Sequence, residues 1–343
     1  MGSGRAADSV RARYLVYFQY LGTDFNGVAA VRGTQRAVGV LNYLEEAAER
    51  LNSVLPVKFI ISSRTDAGVH ALSNAAHLDV QRRSGQPPFS PEVLTQALNT
   101  HLRHPAIRVL QAFRVPSDFH ARYAATSRTY LYRLATGCPG PSQLSVFERN
   151  RCWALRADCL DVAAMREAAQ HLLGTHDFRA FQSAGSPSTS SVRTLRRASV
   201  SPDPASPFVL PQESRQVRRM TAILVAVGLG ALTPTQVKVI LESRDPLGRH
   251  QTRVAPAHGL FLKSVLYRDL EDLAARNPAS AQQESPALLG DFRPETSSAK
   301  AGGPESCLQR FQSCRPQVLC GVHGTEAAND PQRPANLRAA TAH

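Results

Sequence analysis

No stretch of this 343-residue chain approaches the roughly 18 consecutive apolar residues that a membrane-crossing helix needs, so a membrane-spanning protein is not expected. Cys-x-x-Cys does not occur. Cys138, Cys152 and Cys159 lack metal-ligand spacing, and Cys307, Cys314 and Cys320 lie in a low-complexity segment, so neither structural zinc nor a disulfide framework is expected. A glycine-rich phosphate loop is missing, which argues against a nucleotide cofactor. The His-x-Glu with Pro-Cys-x-x-Cys of zinc base deaminases is missing too. So is the Lys/Arg-Gly-aromatic-Gly-Phe type of strand that single-strand RNA binders of the RRM class carry. Met1-Gly2-Ser3-Gly4-Arg5 has no apolar core of a secretory signal. Arg5, Arg11 and Arg13 read as a basic, disordered end or a weak mitochondrial presequence. The expected location is inside the cell, in mitochondrion or cytoplasm.

What is abundant is arginine. The formal charge is +13, and residues 1–267 hold 32 Lys and Arg against 18 Asp and Glu. With no basic amphipathic helix in view, phosphate is the expected counter-surface, and nucleic acid rather than an anionic membrane. A generally basic solvated surface is the plain alternative. A 43% hydrophobic content suffices for a globular core, and the length implies two domains or one domain with tails.

Periodicity then orders the chain. Arg13 to Gln19 reads as a strand. A helix follows from Thr34, with Val38, Leu41, Leu44, Ala47, Ala48 and Leu51 at helical spacing. Val57 to Ser62 and Asn74 to Val80 read as strands. Ser90-Pro91-Glu92 opens a second helix, with Ser90 as N-cap and Pro91 at the first helical position. Ala106 to Phe113 closes the unit. The order β-α-β-β-α-β is the split βαβ, ferredoxin-like arrangement. A second α+β half follows: strands at Thr129–Leu134, Arg151–Leu155 and Val192–Val200, a helix capped by Asp161, an apolar helix over Val217–Leu229 behind Arg215, Arg218 and Arg219, a helix from Pro234, and a closing strand at Gly259–Tyr267. The expected fold is α+β, two ferredoxin-like-type halves with antiparallel sheets flanking a basic cleft. Its divisions are a basic end at 1–12, an N-terminal domain at 13–117, a C-terminal α+β domain at 118–267, and a disordered tail at 268–343.

Between the second and third strands lies Ser63-Arg64-Thr65-Asp66-Ala67-Gly68-Val69-His70-Ala71. By spacing alone this is a turn in which Asp66 caps its own backbone and Gly68 supplies a positive φ. Its length exceeds that of a tight hairpin, and its Arg and Asp suit a loop held over a cleft. His70 and His77, on loop and strand, fit no metal-ligand pair.

The nonapeptide resembles the catalytic motif Arg-Thr-Asp-Ala-Gly-Val-His-Ala of the TruA-type tRNA pseudouridine synthase family. Further blocks agree in order: Asp118-Phe119-His120-Ala121-Arg122 with Tyr130 downstream, Gly174 to Phe181, Val192-Arg193-Thr194, Val217-Arg218-Arg219-Met220, and Ala255-Pro256-Ala257-His258-Gly259-Leu260. The resemblance runs from about Tyr14 to Tyr267. It implies an isomerase of uridine in structured RNA, tRNA first, working as a homodimer with no metal and no cofactor. Asp66 would be the nucleophile, attacking C6 of uracil or C1′ of ribose, in an ionised form that nearby cations favour. Arg218 would orient it, with the start of its helix facing the anionic centre. Tyr130 would stack on the uracil. Arg64 would enter the space left by the flipped nucleotide. His70, Arg122 and Arg219 complete the implied substrate-binding set.

Two stretches depart from the family pattern. Ser201 to Ser214 holds four prolines and no alternating run where the family has a strand leading into the Arg218 helix. A gap there is expected to displace Arg218 from Asp66, and on that basis a non-catalytic RNA-binding protein on the same fold is the second reading. Gly27-Val28-Ala29-Ala30-Val31-Arg32 replaces the family's Gly-Trp-Gln-type segment.

Overall fold

A computed structural model describes residues 10–31, 33, 38–138, 140–182, 191–201, 210–211, 214–245 and 254–268. Residues 269–343 of the expected 268–343 tail, the first nine residues and residues 183–190 lie outside the described residues. Within them the protein is a mixed α/β structure of eleven strands and five α-helices.

The first half of the chain follows the expected succession. Strand β1 (Arg11–Tyr20) leads to helix α1 (Val40–Glu49), β2 (Ile60–Ile61), β3 (His70–Gln81), α2 (Pro91–Leu102) and β4 (Ile107–Val115). β1 begins two residues earlier than expected, inside the segment read as a disordered end, because Arg11 and Arg13 both pair with Asp79 on β3. Helix α1 begins at Val40 rather than Thr34. Residues 34–37 lie outside the described set, and the Val38 carbonyl is taken by the Asn26 N–H. The Asn42 side chain accepts from the Gly39 and Val31 N–H groups, so the helix start is clamped to the preceding loop. α2 is capped as its sequence dictates, with Ser90 Oγ accepting from the Val93 N–H and Pro91 first in the helix. The strand expected over Val57–Ser62 is only the two-residue β2.

The second half contains β5 (Ser127–Tyr132), β6 (Leu134–Ala135), β7 (Trp153–Ala154), α3 (Val162–Gln170), β8 (Gly174–Asp177), β9 (Val192–Leu195), β10 (Leu210–Pro211), α4 (Ser214–Gly228), α5 (Pro234–Ser243) and β11 (Leu260–Leu266). Asp161 caps α3 through the Ala164 N–H, and Thr233 caps α5 through the Gln236 N–H. β9 stops at Leu195, well short of the Val200 expected for it.

The expectation of antiparallel sheets needs correction. β10-β5-β11-β3-β1-β4 form one sheet, with β2 also on β3, and the β11–β3 pairing within it is parallel. The edge of β3 is shared: β2 pairs with His77 and Ala76, whereas β11 pairs with His70 and Ala71. The chain between β2 and β3 therefore leaves the sheet at the point where strands from the two halves of the sequence meet. One continuous cluster of buried apolar residues extends from Ala12 through α1 to α5 to Tyr267, so both halves share a core. Where the family strand before Arg218 was expected to be missing, the described residues hold only the two-residue β10. It is an edge strand on β5, a place where Pro211 costs no ladder hydrogen bond from a neighbour on its open side. Residues 202–209 and 212–213 are outside the described set.

Candidate active site

The loop from Ser62 to Val69 is held from every side. The Val69 N–H donates to the Asp66 carbonyl, and Gly68 turns the chain with φ +77°. From below, Tyr20 Oη shares a hydrogen bond of 2.6 Å with Thr65 Oγ1, and Asn74 Nδ2 donates to the Ser63 carbonyl at 3.0 Å. Burial pushes the Tyr20 hydroxyl up to about 12. From the β1–α1 loop, the Val28 N–H donates to the Thr65 carbonyl, and Gly22 and Gly27 lie so close to Val69 and Thr65 that a methyl group at either would overlap the loop backbone. From β5, the buried Arg128 donates from Nε to Ser63 Oγ (2.9 Å) and from Nη2 to the carbonyls of Ser62 (3.3 Å) and Arg122 (2.9 Å).

Asp66 stands at the tip, partly open to solvent. One oxygen, Oδ2, lies 3.5 Å from Nη1 of Arg218. The expected displacement of Arg218 is therefore not seen. Arg218 is fixed independently of Asp66, because its Nε donates to the Ala255 carbonyl (2.6 Å) and its own carbonyl accepts from the Ala255 N–H (3.2 Å). It is the fifth residue of α4, beyond the first-turn amides that carry the positive helix end. The charge that reaches Asp66 is thus the guanidinium's. A fixed cation beside a half-exposed carboxylate on a rigid loop suits a nucleophile that must meet its target in one orientation.

Ala255–Leu260 is the hub of this arrangement. Ala255 holds Arg218, the Pro256 carbonyl accepts from Tyr132 Oη (2.6 Å), Ala257 lies against Gly68, and the His258 carbonyl meets His70. On β5 alternate residues share a face. Arg128 and Tyr132 both reach toward the loop and its hub, and Tyr130 stands between them on that same face. It is only 1% exposed, opposite Leu210 and Leu262.

The other residues of the implied set separate into two groups. Arg64 and Arg122 are exposed, and Arg219 is half-buried beside Arg218. His70 does not belong with them. It is buried, its ring stacks on Phe261 at 4.5 Å, and both ring nitrogens are engaged. Nδ1 accepts from the Gly22 N–H (2.9 Å), which leaves the proton on Nε2, facing the carbonyls of Asn150 (2.9 Å) and His258 (3.1 Å). Burial lowers the imidazole to about 4, so it is neutral. His70 ties the loop to three other segments and has no free edge for a substrate. Among the described residues no cluster of His, Cys, Asp or Glu is arranged to hold a metal ion.

Residues 16–124 and 168–268 match the family model described as tRNA pseudouridine synthase. A Homo sapiens protein named tRNA pseudouridine synthase-like 1 is 78% identical over 287 residues, covering 79% of this chain and 95% of that protein. Its Xenopus laevis namesake is 50% identical over 281 residues, covering 77% and 94%. The tRNA pseudouridine synthase A of Maricaulis maris (strain MCS10) is 37% identical over 266 residues, covering 74% and 98%. The chain belongs to the tRNA pseudouridine synthase family.

Membership agrees with the resemblance read from the nonapeptide and its companion blocks. Two of those blocks, the one around Arg218 and Ala255–Leu260, meet at the nonapeptide in this synthase-family fold. Three positions escaped the sequence reading. Arg128 and Tyr20 lay just outside the strands read at Thr129–Leu134 and Arg13–Gln19, and Asn74 looked like an ordinary strand residue. Only the pairing of β1 and β3, which sets Tyr20 opposite Ala71, brings their polar ends under the loop.

Proposed function

We propose that the protein isomerises uridine to pseudouridine in structured RNA, tRNA first, with Asp66 as nucleophile. The pairing of Asp66 with an independently anchored Arg218 is the observation that carries this reading. Asp66 attacks C6 of the uracil or C1′ of the ribose. The N1–C1′ bond breaks, the base turns, and C1′ bonds to C5. The C5 proton then leaves, N1 gains one, and Asp66 is released, so no redox partner is consumed. Tyr130, on the face directed at the loop, is the residue to receive the base once the site opens, and Arg64 is exposed where it can fill the vacated stack.

The geometry favours chemistry over the non-catalytic alternative, because that alternative rested on the loss of the Arg218 contact. The arrangement we infer has an N-terminal unit at 13–117 and a C-terminal unit at 118–267 facing a basic cleft, with 268–343 as an appended tail. A homodimer working on tRNA in mitochondrion or cytoplasm completes the proposal. Incubation with uridine-labelled tRNA transcripts tests it. Wild type should form pseudouridine, and Asp66→Asn should form none while its RNA affinity stays within a few fold. Product at the wild-type rate from that variant would remove Asp66 from the role.

A further inference from the structure

Beside the catalytic loop, the turn Ala121–Tyr123 is tied down at both peptide groups of its first two residues. The Ala121 N–H donates to His77 Nδ1 (3.1 Å), and the Ala121 carbonyl accepts from Tyr267 Oη (2.7 Å). The Arg122 N–H donates to His120 Nδ1 (3.2 Å), and the Arg122 carbonyl accepts from Arg128 Nη2 (2.9 Å). Next, the N–H groups of Tyr123 and Ala124 both donate to the His120 carbonyl. A turn so completely fixed nevertheless holds Arg122 and Tyr123 out to solvent, with Tyr123 65% exposed.

The Tyr123 ring does not project alone. Its inner side lies on His120, with centroids 4.4 Å apart and planes 35° from parallel, and His120 in turn meets the buried His77 at 4.9 Å. Three rings thus run from core to surface. Burial and the neighbouring Arg13 lower both histidines, so the rings behind Tyr123 are neutral.

We propose that Tyr123 is a stacking platform for an unpaired base of the RNA substrate, with Arg122 beside it for the adjoining phosphate. The inference rests on the RNA-modifying function proposed above. Base stacking on an exposed aromatic ring is the usual way proteins hold a splayed nucleotide, and an arginine at its side adds the backbone contact. The guanidinium of Arg128 binds the Arg122 carbonyl with one nitrogen and Ser63 with another, so the platform and the catalytic loop are separated by one side-chain group. A nucleotide stacked on Tyr123 is consequently held at a fixed offset from Asp66, which helps set which uridine enters.

The test compares wild type, Tyr123→Ala and Tyr123→Phe for equilibrium binding to a full-length tRNA transcript and for pseudouridine formation, with thermal melts of each protein alone. Stacking is worth enough that Tyr123→Ala should bind about tenfold to 100-fold more weakly, with Tyr123→Phe near wild type and all three melting alike. Wild-type affinity and product from Tyr123→Ala would overturn the platform while leaving the proposed reaction intact. Equal losses in both variants would also overturn it, since a phenyl ring stacks as well as a phenol. If wild type neither binds the transcript nor forms product, the underlying functional reading fails and the platform with it.

Discussion

The guanidinium of Arg218 meets two partners of different kinds: Nε donates to the Ala255 carbonyl at 2.6 Å, and Nη1 lies 3.5 Å from Oδ2 of Asp66. The shorter contact is to backbone, so the cation stays in place whether or not Asp66 is engaged elsewhere. This is the geometry expected of a group that must let its carboxylate form and break a covalent bond. Arg218→Lys keeps the charge but loses the planar fork that reaches both partners. Product formation should fall about 100-fold in Arg218→Lys and at least as far in Arg218→Ala, on the scale of a misplaced reacting group. Binding of tRNA transcripts, measured in parallel, should change by no more than a few fold.

Arg128 anchors the base of the same loop from inside the sheet. It donates to Ser62, Ser63 and Arg122, and the residue is buried. Arg128→Met fills similar space yet leaves two carbonyls and a hydroxyl without their donor. Urea denaturation should show a loss of about 3 kcal/mol. An unchanged midpoint would show that the loop does not depend on this side chain.

How much of this could be read in advance depended on the range over which each signal acts. Ser90-Pro91 and Asp161 declare helix starts through contacts three residues away, and α2 and α3 begin where those residues said. The β-α-β-β-α-β succession is also a local, periodic signal. By contrast, Val57–Ser62 has the composition of a strand but pairs with β3 at only Ile60 and Ile61, and nothing in its composition marks where that pairing stops. The parallel pairing of β11 with β3 joins segments far apart in the sequence and likewise leaves no local trace. His70 was misplaced for the same reason: a polar residue in a motif looks available until Gly22, Asn150 and His258 converge on it. Arg218 reaches Asp66 despite the proline-rich stretch before it, since its anchor is Ala255, downstream, rather than the strand upstream.

His70 and His77 make the fold sensitive to acid. Burial holds each near 4, below the ordinary value near 6.5. The unfolded chain therefore binds protons that the folded one refuses, and stability is complete above about pH 6.5 and declines as pH falls toward 4. Between pH 7 and pH 5 the contribution of His70 should drop by about 2 kcal/mol. Denaturation midpoints across that range should slope downward with acid. In His70→Gln, which keeps a polar group but cannot titrate, the slope should be visibly shallower.

Gly22 offers the most direct check on how tightly the loop is held. A methyl group there would lie 1.9 Å from the Val69 carbonyl oxygen and 2.6 Å from its carbon. Both are backbone atoms, so no rotamer change relieves the overlap; the loop or β1 must move. The Gly22 N–H is also the donor to His70 Nδ1, and that bond would be lost in the same shift. Gly85 is the appropriate comparison. Its φ of +81° makes alanine strained, but nothing lies within 4 Å of the added carbon. Gly85→Ala should therefore cost about 1 kcal/mol, the backbone penalty alone, and leave pseudouridine formation unaffected. Gly22→Ala should cost several-fold more in denaturation and, at temperatures where the protein is still folded, lose most of its activity through displacement of Asp66. Equal stability losses in the two variants, with full activity in both, would mean that the loop yields freely and is not positioned by its packing on Gly22.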